Sequence, residues 1–485
     1  MRIISGPQLA RQLGGWRGAG SAYVTLADAI ALLIQDGRLP LEARLPAERE
    51  LATALRLSRT TVSAAYQRLR ADGYLHSRRG SGSVVTRPDD DLIGQQIGWV
   101  AAPTRAGVLD LAIAALPASQ PALDRAARAA VELLPRHGRK HGYDPAGLPE
   151  LRAAVADRYT AAGIPTTAAE ILITNGAQHG LDLLVRLLCR PGERVLVEGP
   201  TYPNALAGLA AHGCRVVPVA LGEGDGDRGD LEVWDTEMFA DTMRQSTPAL
   251  SYLIPDFHNP TGQLMPGPTR AALAHAARRT GSYLVADESF IDLGLDGVSS
   301  PGSMAGYDGG ERVICLGSLS KSHWGGLRVG WIRASAPLIR RLADTRAVID
   351  MSQPVLEQLV GWQLLLDTSG VLEERRVLLA ARRDALVAAL RATFPAWSFT
   401  VPRGGLALWV RLEAPISSAL AATARRHDVV VAPGPRFGAA AVMESRLRIP
   451  YTLPEPDLRE AVARLALAHG QAFKNTDAEP GCRVA

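Results

Sequence analysis

The segment Val313-Ile314-Cys315-Leu316-Gly317-Ser318-Leu319-Ser320-Lys321 sets a short apolar run, of the kind that forms a buried strand, directly before a turn that ends on a lysine. Of the 53 basic residues in the chain only Lys140, Lys321 and Lys474 are lysines; the first lies beside glycine and arginine and the last in a polar tail. Arginine does not readily release its proton, whereas a lysine amine does and can then bond to a carbonyl carbon. A lysine at a strand end, in a chain that otherwise uses arginine, therefore points to covalent chemistry.

Working outward, similar runs recur at Ile171-Leu172-Ile173, Val195-Leu196-Val197, Val216-Val217-Pro218-Val219, Leu250 to Ile254 and Tyr283-Leu284-Val285, alternating with helical stretches such as Ala177 to Cys189. This alternation predicts a largely parallel sheet with helices on both faces. Ligands in such sheets bind beyond the carboxyl ends of the strands, and the loops there carry unusual residues. Thr174-Asn175-Gly176-Ala177-Gln178 opens a helix with small residues, leaving backbone N–H groups free for a phosphate. Glu198-Gly199-Pro200-Thr201-Tyr202-Pro203 offers an aromatic, His258-Asn259-Pro260-Thr261-Gly262 an amide, and Asp287 a carboxylate; Arg328 follows Lys321 by seven residues.

With 485 residues the chain exceeds the roughly 250–300 at which one core stops growing, so at least two domains are expected. Its 47% hydrophobic and 21% charged residues fit a globular protein. No apolar run approaches the roughly 18–20 residues of a spanning helix, and Met1 to Trp16 lacks the apolar core of a signal peptide, so no membrane partner and a cytoplasmic location are expected. Cys189, Cys214, Cys315 and Cys482 form no CxxC pair, and His137 and His141 lack a third ligand, so neither a disulfide framework nor a metal site is indicated. The Asp-Gly-rich stretch Gly222 to Asp230 reads as a solvated loop, since Thr236 stands where a calcium loop needs its bidentate glutamate.

The net charge of +4 is divided unevenly: residues 1–87 hold 13 arginines, no lysine and 6 acids, leaving the remainder slightly acidic. Such a basic head suits a polyanion, because neutralising phosphates releases condensed counterions. Leu26, Ala29, Ile30, Leu33 and Ile34 recur at helical spacing within Thr25 to Asp36; Ala47 to Leu55 forms a second short helix; and Ser58 suits the N-cap of a third, Arg59 to Asp72. Val62, Ala65, Tyr66 and Leu69 would face the core, leaving Arg59, Thr60 and Ser63 exposed where a recognition helix enters a major groove. Tyr74 to Ser77 and Ser83 to Thr86 read as strands around a hairpin tip, Arg78-Arg79-Gly80-Ser81-Gly82.

The string RLPAERELATALRLSRTTVSAAYQRLRADGYLHSRRGSGSVV closely resembles the GntR-type winged helix over about residues 22 to 87. The resemblance implies that Arg49, Ser58, Arg59 and Thr60 contact double-stranded operator DNA, with Arg44, Arg78 and Arg79 on phosphates. The expected division is a winged helix-turn-helix over 1–87, a linker over 88–108, a body over 109–472 and a polar tail over 473–485.

Asn259, Asp287, Ser318, Ser320, Lys321 and Arg328, arriving in that order, resemble the fold-type I aminotransferases over roughly residues 109 to 472. The resemblance implies an α/β fold, with a large mainly parallel-sheet domain and a smaller α/β C-terminal one, and pyridoxal 5'-phosphate as cofactor. By resemblance Lys321 bonds the cofactor aldehyde, Asp287 pairs with the ring nitrogen, Asn259 with the ring hydroxyl, and Tyr202 stacks on the ring. Gly176, Ala177, Ser318, Ser320 and Arg328 would hold its phosphate, joined by Tyr143 from the second chain of a homodimer. Arg448, within Arg446-Leu447-Arg448-Ile449-Pro450-Tyr451, resembles the arginine that clamps an α-carboxylate. One departure stands out: the family usually places a tyrosine two or three residues after the aspartate, where this chain has Ser289 and Phe290. A GntR-type head on an aminotransferase-like body is the arrangement of the MocR regulators. That resemblance implies a transcription factor whose body dimerises and senses an amino-acid-like or vitamer effector. The alternative is a working aminotransferase with a fused DNA-binding head.

Overall fold

The computed structural model describes residues 4–13, 16, 21–35, 39, 43–71, 73–78, 82–86, 107–222, 234–307, 312–438 and 443–477. The chain divides into two compact units, residues 1–96 with 474–485 and residues 97–473. Most of the expected linker, the Gly222 to Asp230 loop beyond Gly222 and the end of the polar tail lie outside the described residues.

The head contains helices α1 (Gly6–Leu13), α2 (Ala22–Gln35), α3 (Glu48–Leu55) and α4 (Arg59–Ala71), then strands β1 (Leu75–Arg78) and β2 (Gly82–Val85). The periodic residues Leu26, Ile30, Leu33 and Ile34 of α2 share a buried core with Leu51, Val62, Tyr66 and Leu69. The chain turns between α3 and α4 through Arg56, whose φ of 54 is left-handed, and Leu57 N–H closes the turn on the Ala52 carbonyl at 3.0 Å. Ser58 caps α4 as its sequence predicts, its Oγ accepting from Thr61 N at 3.0 Å. β1 and β2 pair antiparallel, Leu75 opposite Val85 and Arg78 opposite Gly82, forming the wing. Helix α1 was not legible in the sequence. It is eight residues long, buries Leu9 and Leu13, and is tied to α3 where Glu50 Oε1 accepts from Gly6 N at 2.6 Å.

The second unit holds two sheets. Its strands are β3 (Leu109–Leu111), β4 (Ile171–Thr174), β5 (Arg194–Gly199), β6 (Arg215–Ala220), β7 (Leu250–Leu253), β8 (Tyr283–Asp287), β9 (Val313–Ser318), β10 (Gly330–Arg333), β11 (Ala407–Arg411), β12 (Val429–Pro433) and β13 (Arg446–Pro450). The large sheet runs β4-β10-β9-β8-β7-β5-β6, and every apolar run read from the sequence is one of its strands. Side chains alternate between its faces: Leu172, Val197, Val285 and Ile314 enter one buried cluster, and Ile173, Leu196, Leu284 and Cys315 the other. Strand β10 is the exception to parallel order, antiparallel to both β4 and β9. The chain returns to the sheet directly after the Lys321 turn, too soon for the long crossover that a parallel neighbour requires.

The smaller sheet runs β11-β13-β12-β3. Its edge strand β3 comes from the start of the unit and pairs parallel with β12, Leu109 opposite Val429. This pairing carries Ala112 to Ala115 back to the ends of the large-sheet strands. Among the described residues no helix is long and apolar enough to cross a membrane.

Candidate functional site

The carboxyl ends of β4, β7, β8 and β9 open into one cavity of about 340 Å³, closed on its other side by Ala112 to Ala115, Phe437 and Arg448. Asn259, Asp287, Tyr202, Ala177, Ser318, Ser320, Lys321, Arg328 and Arg448, all expected from sequence, line this single cavity, with Gly176 at the edge of its phosphate-like end.

Lys321 stands in a wide helical turn, Ser320–Trp324, immediately after β9. Its Nζ donates to the Ala114 carbonyl at 2.8 Å and lies 5.8 Å from the Phe290 ring centroid. Burial, assisted by the charges of Arg448 and Arg328, pushes its pKa down to about 8 despite the opposing charge of Asp287. An appreciable fraction of this amine is therefore neutral and nucleophilic near neutrality.

Asp287 ends β8 and is held from both sides. Oδ2 accepts from Tyr252 Oη at 2.8 Å, and Oδ1 accepts from Ser289 Oγ at 2.5 Å and from Ser289 N at 3.1 Å. Burial and the charge of Asp287 raise the Tyr252 pKa well above its ordinary value, so that phenol stays a donor. The residue two beyond the aspartate supplies a hydroxyl that orients the carboxylate, and the nearby phenol comes from β7 instead.

Asn259 projects from a loop fixed by a buried network. Glu198 and His258, both without solvent exposure, approach to 3.1 Å. Glu198 also accepts from Trp234 Nε1 at 2.6 Å and from Ile254 N at 2.8 Å. Asn259 Oδ1 in turn accepts from Arg448 Nη1 at 3.2 Å.

At the opposite end Gly176 has φ +80, and a Cβ there would lie 2.6 Å from Arg328 Nη2, so only glycine lets the guanidinium approach. Gly176 precedes the helix Ala177–Leu188, whose first N–H groups lack intrahelical acceptors. Arg328 Nη2 donates to Asn175 O at 2.7 Å, and Ser318 Oγ lies 2.9 Å from Ser320 Oγ. Free N–H groups, two hydroxyls and a guanidinium form a cradle suited to a phosphate.

Arg448 is buried at the middle of β13. Its Nη2 donates to the Ala112 carbonyl, its guanidinium carbon lies 5.0 Å from the Phe437 ring centroid, and burial pushes its pKa down to about 10. Its Nε–H has no acceptor among the described residues. Tyr202, before the helix Pro203–Ala211, lines the cavity, its pKa raised by burial and then by Asp287. Tyr143 does not line the cavity of its own chain; it is 57% exposed, with its ring 5.9 Å from that of His141.

Sequence reasoning did not anticipate Tyr252, Gln178, Asn204, Arg436 or the Ala112 to Ala115 segment in the lining. Tyr252 had a signal, a phenol beside Ser251 between the leucines of a short strand. The alanines had none, because only the β3–β12 pairing brings them there.

In the head, the Arg59 side chain is 74% exposed and its Nε lies 3.8 Å from Glu48 Oε2. Ser58 Oγ lies 2.7 Å from Thr60 Oγ1, and Arg49 is exposed on α3. Arg44 bridges to Val84, and its guanidinium packs against Gly82 in the wing. Arg78 belongs to β1 by its backbone, while its side chain and all of Arg79 lie outside the described residues.

A depressed lysine amine, a buried carboxylate, an amide and a phosphate cradle, all facing one cavity, fit pyridoxal 5'-phosphate in each of its functional groups. Comparisons with known proteins agree. Residues 106–465 match the family "Aminotransferase class I and II", and residues 22–85 match "Bacterial regulatory proteins, gntR family". The structure of LysN, alpha-aminoadipate aminotransferase, from Thermus thermophilus superposes with a TM-score of 0.68 at 30% identity, covering 76% of this chain and 94% of that one. The HTH-type transcriptional regulator TauR of Rhodobacter capsulatus is 28% identical over 93% of this chain and 97% of its own length. The probable rhizopine catabolism regulatory protein MocR of Rhizobium meliloti is 32% identical over 61% of this chain and 62% of its own. The chain thus belongs to the aminotransferase class I and II family and, with its gntR-family head, is a pyridoxal-phosphate-dependent DNA-binding regulator of the MocR type.

Proposed function

We propose that the body senses an amino compound through the cavity around Lys321, that two copies pair to complete it, and that the state of the cavity sets how the heads engage operator DNA in the cytoplasm. The observation that carries this reading is the Lys321 amine, depressed to about 8, in one cavity with the Asp287 carboxylate and the buried Arg448 fork. Bound there, the cofactor supplies an electrophilic aldehyde carbon to which an amine can add.

The chain's own residues have separate tasks in this reading. Lys321 presents a neutral nitrogen, and Asp287, pinned by Tyr252 and Ser289, holds a proton on the ring side. Asn259 positions the ring hydroxyl, Tyr202 covers a ring face, and Gly176, Ala177, Ser318, Ser320 and Arg328 fix the phosphate. Arg448 receives the carboxylate of the incoming amino compound, which would satisfy its unpartnered Nε–H. A compound that binds two states of the body unequally shifts their ratio by that difference.

Pairing is supported by exposed apolar side chains on the segment that buttresses the cradle. Val348, Ile349 and Met351 are 87%, 43% and 49% exposed. Asp350, among them, accepts from Asn175 Nδ2 at 2.8 Å. A second copy seated there would bring its exposed Tyr143 toward the phosphate. In the head, Arg49, Ser58, Arg59 and Thr60 read the operator, and Arg44, Arg78 and Arg79 contact phosphates.

The division of the chain proposed here is a DNA-binding domain over 1–87, a linker over 88–108, a cofactor-binding body over 109–472 and a tail over 473–485. The test is a gel shift on the upstream region with and without pyridoxal 5'-phosphate and an amino-acid panel, alongside borohydride trapping read by mass spectrometry. A trapped adduct on Lys321 together with a ligand-dependent shift supports the reading; a colourless protein with no adduct sinks it. Retention of Lys321, Asp287 and Arg448 favours a second reading, a working aminotransferase, which multiple turnovers with any amino acid would establish.

A further inference from the structure

We infer that the cavity takes a dicarboxylic amino acid, with Arg448 on one carboxylate and Arg436 on the other. The inference rests on the sensing role proposed above and specifies its ligand.

Four cationic side chains line the cavity, Lys321, Arg328, Arg436 and Arg448, against one carboxylate, Asp287, whose oxygens already hold Tyr252 and Ser289. In the proposed arrangement Arg328 faces the cofactor phosphate, and Lys321 would be engaged in holding the cofactor aldehyde. Arg448 and Arg436 then remain for the amino compound, two forks for two carboxylates. A guanidinium suits a carboxylate because its N–H groups meet both oxygens at once.

Geometry places the two forks side by side. Arg448 lies on β13 directly opposite Ala432 on β12, and Arg436 follows four residues later in the turn Gly434–Phe437. Phe437, the next residue, packs against the Arg448 guanidinium. Arg436 is half-buried, and among the described residues it makes no hydrogen bond or ion pair. Its charged neighbours Arg425 and Arg448 are both positive; burial and then Arg425 lower its pKa, and its own charge helps to lower that of Arg448. Asp110 offsets part of this burden on Arg448, whereas the charges acting on Arg436 are positive, so a ligand's second carboxylate would relieve Arg436.

The test is calorimetric titration of full-length, cofactor-loaded protein with L-aspartate, L-glutamate and L-2-aminoadipate, each against its own neutral side-chain amide. At least one acid should bind tenfold or more tightly than its amide. Arg436→Gln should abolish that ratio through the acid alone, Arg436→Lys should keep part of it, and Arg448→Gln should weaken acid and amide together. Equal affinities for acid and amide throughout, or a ratio that survives Arg436→Gln, would overturn the inference and leave an amino-compound sensor standing. If neither acids nor amides bind while borohydride still traps the cofactor on Lys321, the inference alone fails; a protein that traps no cofactor sinks the sensing reading with it.

Discussion

Ser289 donates its hydroxyl to Asp287 Oδ1 at 2.5 Å, from two residues further along the chain. Together with Tyr252 on Oδ2 it fixes the carboxylate plane. Ser289→Ala should therefore weaken cofactor binding about tenfold, the worth of one hydrogen bond to a charged group. Equilibrium dialysis with pyridoxal 5'-phosphate measures it, and Ser289→Thr, which restores the hydroxyl, should recover most of the loss. An unchanged cofactor affinity in Ser289→Ala would remove the residue's positioning role.

The depressed pKa of Lys321 gives capture of the cofactor a pH profile. With a pKa of about 8, against an ordinary 10.5, about a tenth of the amine is neutral at pH 7 and half at pH 8. The second-order rate at which the apo protein takes up pyridoxal 5'-phosphate should rise severalfold from pH 7 to pH 8 and level off above about 9. Stopped-flow absorbance follows it; a rate still climbing toward pH 10 would mean an ordinary lysine.

Glu288, beside Asp287 but turned away into the core, has its pKa raised to about 7 from 4.5, chiefly by burial and then by Asp256. Between those values the folded chain holds a proton that the unfolded chain has lost, so stability is full below 4.5 and falls as pH rises to about 7, by about 3 kcal/mol. Glu288→Gln keeps an acceptor for Ser303 Oγ and Met304 N and should flatten that decline. Thermal melts at intervals from pH 5 to 8 test it, and a variant that declines in parallel with the native chain refutes it.

For the head, Arg59→Ala should weaken operator binding between about fivefold and a hundredfold, the range for loss of a base or phosphate contact. Ser58→Ala removes the cap on Thr61 N and should cost the head about 1 kcal/mol, read as a lower denaturation midpoint. A gel-shift titration in which Arg59→Ala matches the native protein would exclude α4 from the DNA surface.

Most strands of the large sheet were legible because buried parallel strands read as apolar runs, although Ser251 interrupts β7 and the edge strand β6 is only partly buried. Asp287 and Lys321 were legible because each ends or follows such a run and has a side chain with its own chemistry. What escaped is of two kinds. Strand β10 carries Arg333 and lies between β9, reached by a local chain reversal, and β4, far earlier in the chain, while β3 joins β12 across most of the sequence, so no periodicity announces these partners. Arg436 escaped because a single arginine in an arginine-rich chain is informative only once its neighbours are seen.

Arg346 is fully buried, and its guanidinium donates to the carbonyls of Ile173 and Pro145 and to Asp350 at 2.8 Å. One side chain thus knots together the strand that leads to Gly176, the loop that carries Tyr143, and the apolar ridge at Val348 and Ile349. In the paired arrangement proposed above, pressure on the ridge travels through this knot to the phosphate loop without any large motion. Diluting the protein until its copies separate should then loosen its grip on the vitamin, so that the abundance of the regulator itself becomes an input to the switch.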